Sequence, residues 1–327
     1  MKKSDTKASS LLLSKAREFE RWVGFESEVK WTTTIIVTIF HSLAVYWCYH
    51  YTFPVKWQSV LFAYILYLLS GFGITGGAHR YWCHRTFKAK TPLRVIFLIG
   101  FAIAGQNTLY QWVRNHRVHH KYSDTEADPH NINRGFFFSH IGWLLMKKKP
   151  EVVSKFSKID MSDIESDPLA SWHTKHVDIL NPLASLVIPT LLNMLLFNEG
   201  WKAAVAWQCF IRLIFVYHCE LTVNSLAHTT SMGYRPYNKG IKPVESAIVS
   251  AITGGEGWHN YHHAFPFDYK AAEWPHTVDL TTHLIHLAER LGWVTDKRQV
   301  SKEMMQKYVE RLGSDQFNPE QCEHQQY

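Results

Sequence analysis

The amino-acid sequence predicts an all-α membrane protein: four transmembrane helices in two hairpins, with a cytosolic helical cap. Three observations predict it. Four long apolar blocks interrupt a chain whose mean hydropathy is only −0.18, and each approaches the roughly 20 residues a helix needs to cross a bilayer. Lysine and arginine crowd the segments outside these blocks and are sparse in the two short links. Histidine, with 20 copies among 327 residues, gathers in the polar stretches that flank the blocks.

Residues 1–30 form a cytosolic N-terminal arm carrying Lys2, Lys3, Lys7, Lys15, Arg17 and Arg21. Its apolar run, Leu11 to Leu13, is too short for a secretory signal. The first transmembrane hairpin occupies 31–78. Its two blocks, Trp31 to Trp47 and Val60 to Ala78, are joined through Val55 to Trp57. Residues 79–178 form a cytosolic segment rich in basic residues, among them Arg80, Arg85, Arg114, Arg117 and the run Lys147 to Lys149. Within it, Val95 to Ala104 is apolar but too short to span, so it lies at the interface or packs within the fold. The second hairpin, 179–223, pairs Ile179 to Phe197 with Trp201 to Val223. The cap, 224–313, carries DLTTHLIHLAERLGW and KEMMQKYVERLG, both with helical periodicity. Residues 314–327 read as a flexible polar tail. The hairpin tips carry only Lys56 and Lys202, so both termini and the long middle segment face the cytosol.

A net charge of +7 suits an anionic membrane face or an anionic substrate. No nucleic-acid-binding module is present in the pattern. The 5 cysteines are scattered without a CxxC pair, which argues against a disulfide framework or a thiolate zinc site.

The histidines carry the chemistry. HRYWCH supplies His79 and His84, HRVHH supplies His116, His119 and His120, and HNYHH supplies His259, His262 and His263. In the last two clusters the i, i+3, i+4 spacing places three imidazoles on one helix face. So many rings exceed the four ligands of a structural zinc, and imidazole without thiolate suits iron, copper or zinc. Soluble di-iron bundles use Glu-x-x-His pairs. Glu256 with His259 and Glu273 with His276 have that spacing, but the first two clusters have no such glutamate. A di-metal centre held mainly by nitrogen follows, seated in the cap beside apolar helices. That combination points to redox chemistry on a lipid chain.

GAHRYWCHRTFKAKTPLR, HRVHHKYSDTEADPHN, RGFFFSHIGWLL and GEGWHNYHHAFPFDYK resemble the membrane fatty acyl-CoA desaturases of the stearoyl-CoA Δ9-desaturase type, over about residues 30–300. The resemblance implies a multi-pass endoplasmic reticulum membrane protein with two iron ions (Fe2+). It implies a cis double bond placed at Δ9 in a saturated fatty acyl-CoA, using O2 and electrons from cytochrome b5 and its reductase. The partners it implies are thus acyl-CoA, O2, cytochrome b5 with its reductase, and the lipid bilayer. It also implies a ninth histidine, His228 of NSLAH, with Asn224 reaching the metal through water. No partition of the nine imidazoles between two irons can be read at this level. Asp124, Glu126 and Asp128 are candidates to orient them.

The family clamps CoA with basic and polar residues, and the matching positions are Asn107, Arg114, Lys147 and Lys148, beside Asn115 where the family carries Asp. Leu221 replaces a common Trp. Arg212, His218 and Glu220 put ionisable groups inside an apolar block, where they are costly and functional as a rule. Tyr67, twelve residues before His79 and so about 18 Å deeper, is a candidate tunnel floor with Tyr64 one turn further. Gly71, Gly73, Gly76 and Gly77 would leave room for the chain above it. Two other readings compete: a hydroxylase or desaturase of another lipid, and a non-enzymatic metal-binding membrane protein.

Overall fold

The computed structural model describes residues 14–272 and 279–315. Glu273, His276, the lysines at 2, 3 and 7, and the tail from residue 316 lie outside the described residues. Four helices are long and apolar enough to cross a membrane: α1 (Trp31–Tyr51), α2 (Trp57–Cys83), α5 (Pro168–Phe197) and α6 (Trp201–His228). Between α2 and α5 lie α3 (Thr91–Ile103) and α4 (Leu109–Tyr122), and after α6 come α7 (Ala247–Thr253), α8 (His259–Ala264), α9 (Leu280–Arg290) and α10 (Lys302–Leu312). A two-stranded antiparallel pairing of β1 (Lys88–Ala89) with β2 (Val294–Thr295) ties the segment after α2 to the cap.

All four spans continue past the ends of their apolar blocks, α1 by a single turn to Tyr51. α2 runs on to Cys83 as a π-helical stretch from Gly73, and α6 runs on to His228. α5 begins at Pro168, eleven residues ahead of its apolar block, because Asp167 caps it. The Asp167 carboxylate accepts from the amides of Leu169 (2.9 Å) and Ala170 (3.1 Å), and Pro168 fits the first turn. The same carboxylate accepts from Arg94 (2.7 Å) and Trp82 (2.9 Å), which joins α5 to α2 and α3.

The short segment Val95 to Ala104 packs within the fold as α3. Phe97 and Phe101 are fully buried against α2. Gly73 and Gly100 make the crossing possible: a Cβ on Gly73 would lie 2.2 Å from the Phe101 amide nitrogen. Gly76 and Gly77 face Phe97 in the same way. Three of the four glycines expected to make room for a ligand chain therefore serve helix packing, and only Gly71 lines a cavity.

Of the two pairs joined by short links, α5 and α6 pack on each other, whereas α1 and α2 do not pack closely. α1 leans on α6, through Phe40 and Trp47 against Phe210 (ring centroids 5.4 and 5.9 Å apart) and His41 against His218 (3.3 Å). α2 packs on α3 and α6. Arg212 is buried within α6 and gives its protons to the carbonyls of Ile103, Ser185 and Gln208, so this intramembrane cation anchors backbone. The two link tips meet. Lys56 donates to the carbonyls of Phe197 (2.9 Å) and Asn198 (2.6 Å), and Glu199 accepts from Ser59 (2.7 Å). The histidine clusters all lie at the opposite end of the bundle.

Candidate metal centre and its cavity

The spacing HxxxxH would set His79 and His84 far apart around an α-helix. The π-helical turn solves this. The amide of His84 donates to the carbonyl of His79 at 3.0 Å, an i to i+5 bond, and the two rings come to 4.9 Å. On α4, successive residues turn by about 100°, so His119 and His120 fan to either side of His116. α8 repeats the pattern. It is clamped by Asn260, whose side chain accepts from the amides of Tyr237 and Asn238 and donates to the carbonyls of Asn238 and Pro243. The residues between the histidines of HNYHH thus fix the helix that presents them.

The fan divides nine imidazoles into two groups. His79, His84, His116, His120 and His262 converge in one, and His119, His228, His259 and His263 in the other. Each HxxHH cluster gives its i, i+4 pair to one group and its remaining histidine to the other. The expectation of three rings serving one face is corrected to a split between two sites.

The tautomers follow from the partners. A carboxylate accepts only, so each ring nitrogen beside one carries its proton there. His79 Nδ1 donates to Glu256 (2.9 Å), His119 Nδ1 to Asp128 (2.9 Å) and His228 Nδ1 to Asp124 (3.1 Å). Their Nε2 atoms are then bare and point inward. His79 and His262 face each other Nε2 to Nε2 at 2.9 Å, His262 and His120 at 3.0 Å, His228 and His259 at 3.1 Å, and His259 and His263 at 3.1 Å. The Nε2 atoms of His84, His116 and His119 are buried without a partner. Burial, and then the neighbouring imidazoles, lower the pKa of His84, His116, His120, His259, His262 and His263 well below the ordinary value. Neutral rings with converging lone pairs fit two cations held by nitrogen.

Of the three acids weighed from sequence, Asp124 and Asp128 orient imidazoles, while Glu126 pairs with Lys149 at the surface (2.7 Å). Burial alone would raise the Asp128 carboxyl, but His119 and His130 hold it well below the usual range. Glu256 does not join either imidazole group, so its Glu-x-x-His spacing with His259 does not mark a bundle-type ligand. It holds His79 from behind, and Arg80 (2.7 Å) and His79 bring it to about 2 against the upward pull of burial. The Glu256–His79 pairing has no sequence signature, because 176 residues separate Glu256 even from adjacent Arg80.

Two cavities meet beneath the centre. One is apolar and runs from Tyr67 and Gly71 past Val216 and Thr253 to His79, His116 and His259. The other is more polar and includes Asn107, Asn115, His130 and Trp143. Both are walled by Trp112, His116, Glu220 and Asn224. Asn107, Asn115, Tyr67 and Asn224 thus all face a cavity. Arg114 lies over the Phe156 ring (4.0 Å) and Lys148 over Trp143 (5.1 Å), with Lys148 Nζ buried and unpartnered. Lys147 is exposed and paired with Glu28 (2.5 Å), which sets it apart from that cluster. Tyr64 is corrected: it is 56% exposed on the outer face of α2 and lines neither cavity. Tyr67 takes the inner position, packed on Phe215 (5.1 Å) with its hydroxyl donating to Ile252 (2.5 Å).

Residues 55–298 match the family model for fatty acid desaturase. An acyl-CoA Delta-9 desaturase of Acheta domesticus is 45% identical over 290 residues, covering 88% of this chain and 80% of that protein. An acyl-CoA Delta(11) desaturase of Trichoplusia ni is 41% identical over 285 residues, covering 86% and 80%. Stearoyl-CoA desaturase 2 of Rattus norvegicus is 41% identical over 288 residues, covering 88% and 80%.

Proposed function

The chain belongs to the fatty acid desaturase family, and from that premise we propose that it is an acyl-CoA Δ9-desaturase with one iron ion in each histidine group. The observation that carries this reading is the join of the two cavities under nine converging imidazoles. Iron bound there would supply the oxidising power needed to remove hydrogen from unactivated methylenes, with dioxygen as oxidant and cytochrome b5 with its reductase as electron source.

The protein's own residues place the chain. The acyl tail occupies the apolar cavity with its methyl end toward Tyr67, and the thioester end occupies the polar cavity. Trp112 and Asn224 wall the point where the two meet, so the carbons lying there are the ones that react. Arg114 and Lys148 bind the CoA phosphates, and Asn107 and Asn115 donate amide protons to the polar part of the carrier. Glu256, Asp128 and Asp124 keep the ring protons on Nδ1 and leave Nε2 free for metal. Asn224, one turn before His228 on α6, holds a water toward the second group. The spans lie in the endoplasmic reticulum membrane with both termini and the cap in the cytosol, a placement supported by the basic residues beside the histidines and the sparse charge at the link tips.

Expression in desaturase-deficient cells tests the reading. The expected result is Δ9 monounsaturated chains, made by the parent and absent from His120→Ala and His263→Ala, one from each group. Hydroxylated chains would favour the hydroxylase alternative. A parent chain that inserts in the membrane yet changes no fatty acid would overturn catalysis.

A further inference from the structure

One side of the apolar cavity is closed differently from the rest. α2 and α6 supply most of its lining, but between them the wall is Thr253 and Glu256, at the end of α7 and just after it. A further cavity lies against this stretch. Tyr67, Gly71 and Thr75 of α2 and Thr253 line both, and Leu68, Phe72, Gly254, Leu280, Thr281 and Leu284 complete the further one. The partition is therefore a stripe of three α2 residues spaced by four, and its middle member has no side chain. A Cβ on Gly71 would meet nothing within 4 Å, so the partition is open at its centre.

The ends of the stripe are fastened to the cap. The Tyr67 hydroxyl donates to the Ile252 carbonyl on α7, and the Thr75 and Thr281 hydroxyls share a hydrogen bond (both 2.5 Å). The two cap pieces they hold are joined to each other, since the Leu280 amide donates to the Gly254 carbonyl at 2.9 Å. α7 is only 7 residues long and ends on Gly254 (φ +74°) and Gly255 (φ +126°), conformations that glycine adopts at little cost. Beyond the further cavity the surface is apolar. Leu280, Leu284, Leu287 and Leu291 share one face of α9 by their spacing. Leu287 and Leu291 are exposed, and so is Ile248 on α7. Leu68 belongs to a membrane span and lines the same cavity as Leu280 and Leu284, which sets this apolar face level with lipid.

We propose that the further cavity is a lateral portal. An acyl chain passes sideways through it between the leaflet on the histidine side and the apolar cavity, when the Tyr67 and Thr75 bonds part and the end of α7 swings with the start of α9. The passenger is identified by the desaturase reading, on which the inference rests. A long-chain acyl thioester is an amphiphile whose tail lies among lipid tails. Sideways entry keeps that tail in apolar surroundings throughout, whereas threading it methyl-first would draw every methylene through the polar cavity. The carrier end stays at the aqueous surface in either case.

The test locks the portal and reads exchange of stearoyl-CoA on the full, metal-free chain in phosphatidylcholine nanodiscs. The Thr75 and Thr281 hydroxyls already touch, so Thr75→Cys with Thr281→Cys brings two thiols within reach of a disulfide. A closed portal raises the barrier and not the affinity. On oxidation, the association and dissociation rates are therefore expected to fall together by roughly 10-fold or more, with the dissociation constant unchanged, and to recover on reduction. Free CoA, which has no tail to pass, should exchange at the same rate in both forms. Leu284→Trp narrows the mouth from outside the apolar cavity and should slow both rates in the same way. The proposal is overturned if the oxidised form, its disulfide confirmed by mass spectrometry, exchanges stearoyl-CoA as fast as the reduced form. It is also overturned if oxidation changes the affinity rather than the rates, or slows free CoA equally. Should the pair not oxidise, unchanged rates in Leu284→Trp overturn it. A parent protein that binds no stearoyl-CoA would count against the desaturase reading instead.

Discussion

Replacing Glu256 by Gln should remove one metal ion and spare the other, without unfolding the protein. As a carboxylate, Glu256 accepts on both oxygens, from Arg80 at 2.7 Å and from His79 Nδ1 at 2.9 Å. An amide keeps one acceptor and presents N–H groups at the other position. Arginine can only donate, so the amide oxygen stays with Arg80 and the amide nitrogen turns to His79. His79 Nδ1 must then accept, which moves the ring proton to Nε2, the atom 2.9 Å from His262 Nε2 at the heart of the five-histidine group. That imidazole can no longer ligate. Partners of this kind contribute about 10- to 100-fold in metal affinity, or roughly 1.4 to 2.7 kcal/mol at the usual conversion. The fold should survive, because Arg80 keeps Asp279 (3.0 Å), Thr282 (2.9 Å) and the Tyr269 carbonyl (2.9 Å). The assay is iron titration of metal-free protein against a chelator, with stoichiometry read per chain and thermal unfolding of the metal-free forms as control. At free iron that fills both sites in the parent, the variant should hold about one ion, kept by His119, His228, His259 and His263. Parent-like affinity at both sites, or loss of both ions together, would refute the tautomer argument.

Asp128→Asn should act on the other ion by the same logic, since Asp128 accepts from His119 Nδ1 and from the amides of Asp124 (2.8 Å) and His130 (3.1 Å); the titration should then show the five-histidine site filled and the four-histidine site weakened. Tyr67→Ala should shift preference toward longer acyl chains, each newly buried methylene contributing about 0.8 kcal/mol, while Tyr64→Ala, at a lipid-facing position, leaves the product profile as it was; competition between palmitoyl- and stearoyl-CoA reads both. Lys148 has its pKa lowered to about 7 by burial and by the charges of Lys30 and Arg114. An anionic carrier favours the protonated form, so KM for acyl-CoA should rise as pH climbs above about 7 in the parent, and this slope should vanish in Lys148→Met. Lys147→Ala, whose side chain is exposed and paired with Glu28, should change KM little, a contrast that a shared CoA-clamp role for the two lysines would not give.

The four spans were legible because hydropathy measures what a bilayer demands of a helix. Their ends were not, because the helices continue through polar residues once they leave the hydrocarbon. His79 and His228 lie on such extensions, at residues where an apolar count has already stopped. That the three histidine clusters belong to one site was legible by density alone. Their partition was not, since it depends on the π-register between His79 and His84 and on the roughly 100° between adjacent α-helical residues. The orienting acids were half legible. Asp124 and Asp128 stand close in sequence to the HRVHH cluster, but Glu256 reaches His79 across the fold. The glycines of α2 misled because a small residue next to a candidate cavity reads the same as a small residue at a helix crossing, and only the partner, Gly100 of α3, tells them apart. Tyr64 and Tyr67 lie three residues apart, close enough in phase to share a face, yet Phe215 and the Ile252 carbonyl select only Tyr67 for the interior.

The arrangement of ligands also explains why the cap and the bundle must be one unit. The five-histidine group draws on α2, the turn after it, α4 and α8; the four-histidine group draws on α4, α6 and α8. Each histidine group therefore joins one membrane-length helix to α4 and α8, which belong to both. α2 and α6 are also the spans that wall the apolar cavity, through Tyr67, Val216 and Glu220. The distance from metal to chain is then set by rigid helices, each of which carries ligand and wall residues within three turns of one another: Tyr67 and His79 on α2, Glu220 and His228 on α6. A site built this way holds an unreactive methylene chain in register without any polar handle on the reacting carbons, since the register is defined by the same two helices that hold the oxidising centre.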